Sequence, residues 1–180
     1  MKVWCITCDG WKTRGKRVAV VGATDEAVTT CMQFRNFTHD LTFITNRAVG
    51  ASAHLSARSL RRLSDAGVPL VEGQIARLEG DGGMMRAVRM KDGRTIDADI
   101  MVSEQGSRPN CAIATDAGVA LTADGYIKVD SEQRTNVSRV YAAGDVTKVF
   151  AHQIATAVHE GATAAQAANY DLYGAEQRDD

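Results

Sequence analysis

Proline occurs twice in these 180 residues, at Pro69 and Pro109, and aromatic residues make up only 6% of the chain. No low-complexity segment and no internal repeat is present. No apolar run reaches transmembrane length, and the amino terminus lacks the basic and then apolar layout of a secretory signal, so the sequence predicts a cytoplasmic protein without a membrane span. A formal net charge of -1 gives no electrostatic reason to expect nucleic acid or an anionic membrane as partner. Four cysteines are too few for a disulfide scaffold, and the four histidines (His39, His54, His152, His159) show no zinc-finger spacing, so no metal site is predicted.

What is present is the make-up of a folded protein. Hydrophobic residues at 44% and charged residues at 24% are those of a soluble globular chain, long enough for one domain or one and a fraction. The densest chemistry sits in Cys5-Ile6-Thr7-Cys8-Asp9-Gly10, two thiols and a carboxylate within five residues. If Cys5 begins a helical turn, the partial positive charge there stabilises a thiolate, and Asp9 can exchange the proton that thiol and disulfide chemistry requires. Spacing alone leaves three readings open: a redox pair, half of a metal site, or two inert thiols. Cys31 and Cys111 stand alone and read as isolated buried thiols.

Beyond a polar connection, Arg17-Val18-Ala19-Val20-Val21-Gly22 reads as a buried parallel strand ending in glycine. Thr24 or Asp25 can cap a helix whose Ala27, Val28, Cys31, Phe34 and Phe37 share a face, and Leu41–Thr45 is a second strand. Strand, helix and strand in this order form a dinucleotide-binding half-sheet. Its turn, Gly22-Ala23-Thr24-Asp25-Glu26-Ala27, keeps the first glycine and closing alanine of the G-x-G-x-x-G/A fingerprint but loses the middle glycine. Thr24 there hinders close approach of a pyrophosphate, and Glu26 adds negative charge where phosphates would sit. The bland alternative is a tight turn with no nucleotide. After the second strand no acidic residue awaits a ribose, whereas Arg47 could meet a 2′-phosphate or simply be solvated.

A second helix is predicted over 53–66, with Leu55, Leu60 and Leu63 near one face, Arg58, Arg61 and Arg62 outward and Gly67 as the stop. Leu70-Val71 begins a third strand. Residues 74–79, 84–90 and 94–97 form a meander turning at 80–83 and 91–93, with Met84 and Met85 as packing residues, and 100–103 close the sheet. Further on, residues 111–117 suggest a helical turn, while Tyr126–Val129 and Val140–Asp145 suggest strands. A long alanine-rich helix from about His152 to Tyr173 should lie against something large.

Taken in order, Cys5–Gly10, Val18–Gly22, Gly106-Ser107-Arg108-Pro109-Asn110, Gly125–Val129, Val140–Val146 and Gln153-Ile154 resemble the low-molecular-weight thioredoxin reductases and their FAD-dependent pyridine nucleotide-disulphide oxidoreductase relatives, from about residue 3 to residue 173. The fold so implied is α/β: a Rossmann-like three-layer NAD(P)-binding domain with a β meander over 1–110, then the carboxy-terminal part of a discontinuous FAD-binding domain over 111–180. The resemblance makes Cys5, Cys8 and Asp9 catalytic, with Cys8 facing the flavin, Cys5 attacking the substrate disulfide and Asp9 as acid and base. Its cofactor-binding candidates are Gly22, Thr24, Asp25, Arg47, Gly106, Gly144, Asp145, Gln153 and Ile154. Asp145 would bond the ribityl chain or pyrophosphate of FAD, and Gln153 and Ile154 would bring backbone to the isoalloxazine.

In that family an amino-terminal strand, glycine-rich turn and helix precede the Cys-x-x-Cys, and nothing here corresponds to them. The expectation is a flavin-dependent thiol-disulfide oxidoreductase, homodimeric, acting on a thioredoxin-like protein or another disulfide substrate. Its FAD site is incomplete, its NADPH site is weak or altered, and it turns over poorly as this chain alone. The alternative is a non-catalytic nucleotide-binding or interaction module that retains the fold.

Overall fold

The computed structural model describes residues 2–48, 55–147, 151–174 and 177, which belong to two compact units, Met1–Gly106 and Ser107–Asp180. In the first unit the described residues form β1 (Lys2–Val3), β2 (Val18–Val21), β3 (Leu41–Ile44), β4 (Leu70–Val71), β5 (Ile75–Asp81), β6 (Met84–Met90), β7 (Thr95–Asp97) and β8 (Ile100–Ser103). Three α-helices accompany them, α1 (Ile6–Asp9), α2 (Asp25–Phe34) and α3 (Ala57–Asp65). The main sheet has the order β1-β8-β2-β3-β4, every neighbouring pair parallel, and β5-β6-β7 make a separate antiparallel meander.

β2 explains the layering. All four of its residues, Val18, Ala19, Val20 and Val21, are buried, as a strand covered on both faces must be. Val18 and Val20 pack with Ala27, Val28, Cys31 and Phe34 of α2 and Leu63 of α3, while Ala19 and Val21 pack with Val88 and Met90 of the meander. Helices therefore cover one face and the meander the other. Each fully buried large side chain in these layers contributes roughly 1.5–3 kcal/mol.

Local signals set the helix bounds. Thr24 Oγ1 accepts the Ala27 N–H at 3.2 Å and starts α2, and Ser56 Oγ accepts the Ser59 N–H at 3.2 Å and starts α3. α3 stops as predicted at Gly67, whose φ of 67° lets the Val68 N–H return to the Leu63 carbonyl at 2.9 Å and the Gly67 N–H to the Ser64 carbonyl at 2.9 Å. Two packing expectations are corrected. Ser59 rather than Leu60 faces inward beside Leu63, because the cap at Ser56 fixes the helical phase and leaves Leu60 exposed. Met84 is exposed at the meander tip and only Met85 packs against the core. Residues 53 and 54 of the predicted helix lie outside the described residues.

The second unit contains α4 (Ala112–Asp116) and α5 (Ile154–Asp171), with a small core of Cys111, Val119, Ile127 and Ala142. The strands expected at Tyr126–Val129 and Val140–Asp145 are not formed. Ile127 and Tyr141 make only isolated bridges, because a strand needs an unbroken row of partners and the described residues of this unit supply none. α5 does not lie against a large surface within its unit: only Glu160 and Ala167 are buried, while Ile154 and Val158 are exposed.

One charged strut ties the sheet's lower edge. Arg17, just before β2, reaches Asp99, just before β8, through Nη2 at 2.8 Å and Nε at 3.3 Å, and its own N–H meets the same carboxylate at 3.0 Å. The guanidinium hydrogen bond holds the Asp99 carboxyl down at about 2. Because the folded-state value lies below the unfolded one, this contribution is present above the ordinary carboxylate range and disappears as pH falls towards about 2. Asp99→Asn is expected to lose about 1 kcal/mol in chemical denaturation at neutral pH, allowing for the pair's partial exposure. The gap from wild type should close in acid; a gap that persists there would rule this account out.

Candidate functional site

Cys5 follows β1 by two residues and is the N-cap of α1. Its Sγ accepts the Cys8 N–H at 3.1 Å, and the two cysteines form a disulfide with Cα atoms 5.2 Å apart. The sulfurs bond each other, which removes the metal half-site reading; among the described residues no group of three metal-ligating side chains occurs. Cys8 is exposed and Cys5 half-buried, so the bond is open to exchange. Asp9 lies beside it, ion-paired with Lys12 Nζ at 2.6 Å, a partner the sequence reading did not assign. Exposed Trp4 and Trp11 flank the pair, with Lys2 over the first ring and Lys12 over the second. Cys31 and Cys111 are buried and free, as expected, and burial pushes the Cys31 thiol up to about 12, which makes it inert.

A second site lies where β2, β3 and β8 end. A cleft of about 540 Å³ is lined by Thr24, Glu26, Asn46, Arg47, Glu104, Gly106 and neighbouring residues. Three of the sequence candidates, Thr24, Arg47 and Gly106, thus come together here. Gly22 lies behind the turn, where an added Cβ would strike Ala27 Cβ and the Glu104 carbonyl oxygen. Asp25 does not line the cleft. Its carboxylate takes the Ser56 N–H at 2.9 Å, and hydrogen bonds from Ser59 and Ser56 hold it below the usual carboxylate range.

Sequence reasoning missed Glu104 and Asn46. Asn46, at φ 51°, accepts the Ile75 N–H at 2.9 Å and donates to Gln105 Oε1 at 3.1 Å, joining meander and sheet at the cleft wall. Glu104 is held above the usual range by burial and by the nearby Glu26. No local pattern announced it, since its role depends on where β8 lies.

The profile of the pyridine nucleotide-disulphide oxidoreductases matches residues 5–164. The chain belongs to that family. Among curated relatives, a component of the alkyl hydroperoxide reductase of Pseudomonas putida is 31% identical over 92% of the chain and 32% of its own length. Thioredoxin reductase of Treponema pallidum is 30% identical over 92% of the chain and 54% of its own length. Among solved structures, the atypical thioredoxin reductase TRi from Desulfovibrio vulgaris Hildenborough matches with a TM-score of 0.57 and 34% identity, covering 93% of this chain and 55% of that one. The chain thus spans about half the length of the thioredoxin reductases it matches.

The remaining candidates, Gly144, Asp145, Gln153 and Ile154, lie in the second unit. Gly144–Val146 is a 3-10 turn opened by Gly144 at φ 79°, with Asp145 exposed on it. Gln153 is the N-cap of α5, and Ile154 its first residue. Below the turn lies Glu160, only 4% exposed, whose Oε2 accepts the Gly144 N–H at 2.6 Å and lies 2.9 Å from Thr147 Oγ1. A lone acid inside an alanine-rich helix was the one signal that could have singled it out.

Because the strike on Glu104 is against backbone, Gly22→Ala is expected to cost about 1–3 kcal/mol in urea denaturation. An unchanged midpoint would show that the turn is not packed as described.

Proposed function

We propose that this chain carries the disulfide-exchange centre of a thioredoxin-reductase-like flavoenzyme. The observation that carries the reading is the Cys5–Cys8 disulfide at the end of β1, with the Cys8 N–H on Cys5 Sγ and Asp9 beside it. Once the disulfide has been reduced by two electrons, that N–H and the helix start favour a thiolate on Cys5. The Cys5 thiolate attacks one sulfur of a partner disulfide, forming a mixed disulfide and expelling a partner thiolate that takes a proton through Asp9. The Cys8 thiolate then attacks Cys5 Sγ, restoring the Cys5–Cys8 bond and releasing the partner's second thiol. Lys12 keeps Asp9 in place.

FAD fits the second unit's residues: Gly144 opens the turn, Asp145 is exposed on it, and Gln153 and Ile154 begin a helix of 18 residues. When bound, it would supply the electron pair for the disulfide. The partner we infer is a thioredoxin-like protein, the product class implied by the thioredoxin reductases among the relatives. We further propose that turnover needs polypeptide beyond these residues, since the chain spans 54% of the Treponema relative and α5 keeps an exposed apolar face. In the cytoplasm, pairing of two chains would cover such a face.

The roles of the two sulfurs can be separated with chemically pre-reduced protein. Mixed with an oxidised thioredoxin-like protein, pre-reduced wild type should pass on one electron pair per chain. Cys8→Ser should stop at a mixed disulfide through Cys5, Cys5→Ser should give no adduct, and Asp9→Asn should slow exchange on the order of 10²-fold. A stable adduct through Cys8 in Cys5→Ser, with none in Cys8→Ser, would reverse the assignment. Pre-reduced wild type that leaves the partner oxidised would end the proposal.

A further inference from the structure

The cleft at the ends of β2, β3 and β8 occupies the place of a dinucleotide site, yet its chemistry runs against a pyrophosphate. Such a group needs free N–H donors at a helix start, backbone unobstructed by side chains, and no competing negative charge. α2 offers little of this. Thr24 Oγ1 already takes the Ala27 N–H, and Ala23 and Thr24 place side chains where close approach requires glycine. Glu26, in the first turn of α2, and Glu104, just after β8, both line the cleft, and burial together with Glu26 holds the Glu104 carboxyl above the ordinary range. Arg47 is the one cation among the described lining residues.

We infer that Glu26 and Glu104 exclude the pyrophosphate of NADPH and NADH from this cleft. Two carboxylates facing a doubly charged pyrophosphate outweigh a single arginine whose side chain is solvated. The helix start adds to this, because its positive end is already satisfied by Thr24 and by the acids of its own first turn. The inference concerns binding alone, so it stands whether or not the Cys5–Cys8 pair exchanges with a partner.

NADPH and NADH, titrated separately into the purified full chain and followed by nicotinamide fluorescence and calorimetry, test it. Wild type should show no saturation up to about 1 mM. Glu26→Gln/Glu104→Gln should bind at least tenfold tighter, about 1.4 kcal/mol, and adding Arg47→Ala should cancel the gain. Glu26→Lys, on an exposed position, provides the same test if the Glu104 variant fails to fold, and should also gain tenfold. Saturation of wild type below about 1 mM would overturn the inference, as would folded Glu26→Lys protein that binds no better than wild type.

Discussion

All five strands of the main sheet run in one direction, and this constraint fixes where the first unit can do chemistry. Parallel pairing places every carboxyl end on the same side, and four of the five segments that leave that side carry the candidate residues. Cys5 follows β1, Thr24 follows β2, Asn46 and Arg47 follow β3, and Glu104 follows β8. The register links them: Val3 pairs with Val102, and Val102 pairs with Val20. The Cys5–Cys8 disulfide and a nucleotide-sized cleft therefore share one edge because of hydrogen-bond geometry, before any side chain is chosen.

That edge was legible where the sequence encodes local physics. The β-branched run at Val18–Val21, the cap at Thr24 and the stop at Gly67 each specify a conformation through their own neighbours, and each is found as expected. The meander was legible for the same reason, through its alternating pattern and glycine turns. Illegible were features that depend on distant chain. Glu104 acquires its role from the position of β8 against β2. Ser59 displaced Leu60 from the core because a cap three residues earlier set the phase. Tyr126–Val129 and Val140–Asp145 have strand-forming residues, but a ladder requires partners that composition cannot report.

Asp9 on the one hand, and Glu26 with Glu104 on the other, stand in different charge surroundings in the first unit. Asp9, beside the Cys5–Cys8 disulfide, is ion-paired with Lys12 at 2.6 Å. Glu26 and Glu104 line one cleft with a single arginine, and burial together with Glu26 raises the cost of charging Glu104. The acid beside the disulfide has a cation at hand, while the neighbouring cleft is set against anions. The two stand on separate strands of one sheet, so either can change without the other.

In the second unit, buried polarity makes a related point. A carboxylate that is 4% exposed costs several kcal/mol to desolvate unless it is hydrogen-bonded, so an alanine at this position of an alanine-rich helix would be the cheaper choice for packing alone. Glu160 offsets that cost by taking the Gly144 N–H and lying against Thr147 Oγ1, both in the segment that carries Asp145. Arg134 and Tyr141 do the same for the other end of α5, holding Asp171 through two guanidinium bonds of 2.8 and 3.0 Å and a hydroxyl bond of 2.6 Å. The helix is thus fastened to its own unit by polar contacts rather than by its apolar residues. Its exposed Ile154 and Val158 remain available to another surface, and the Gly144 turn is held in shape without calling on them.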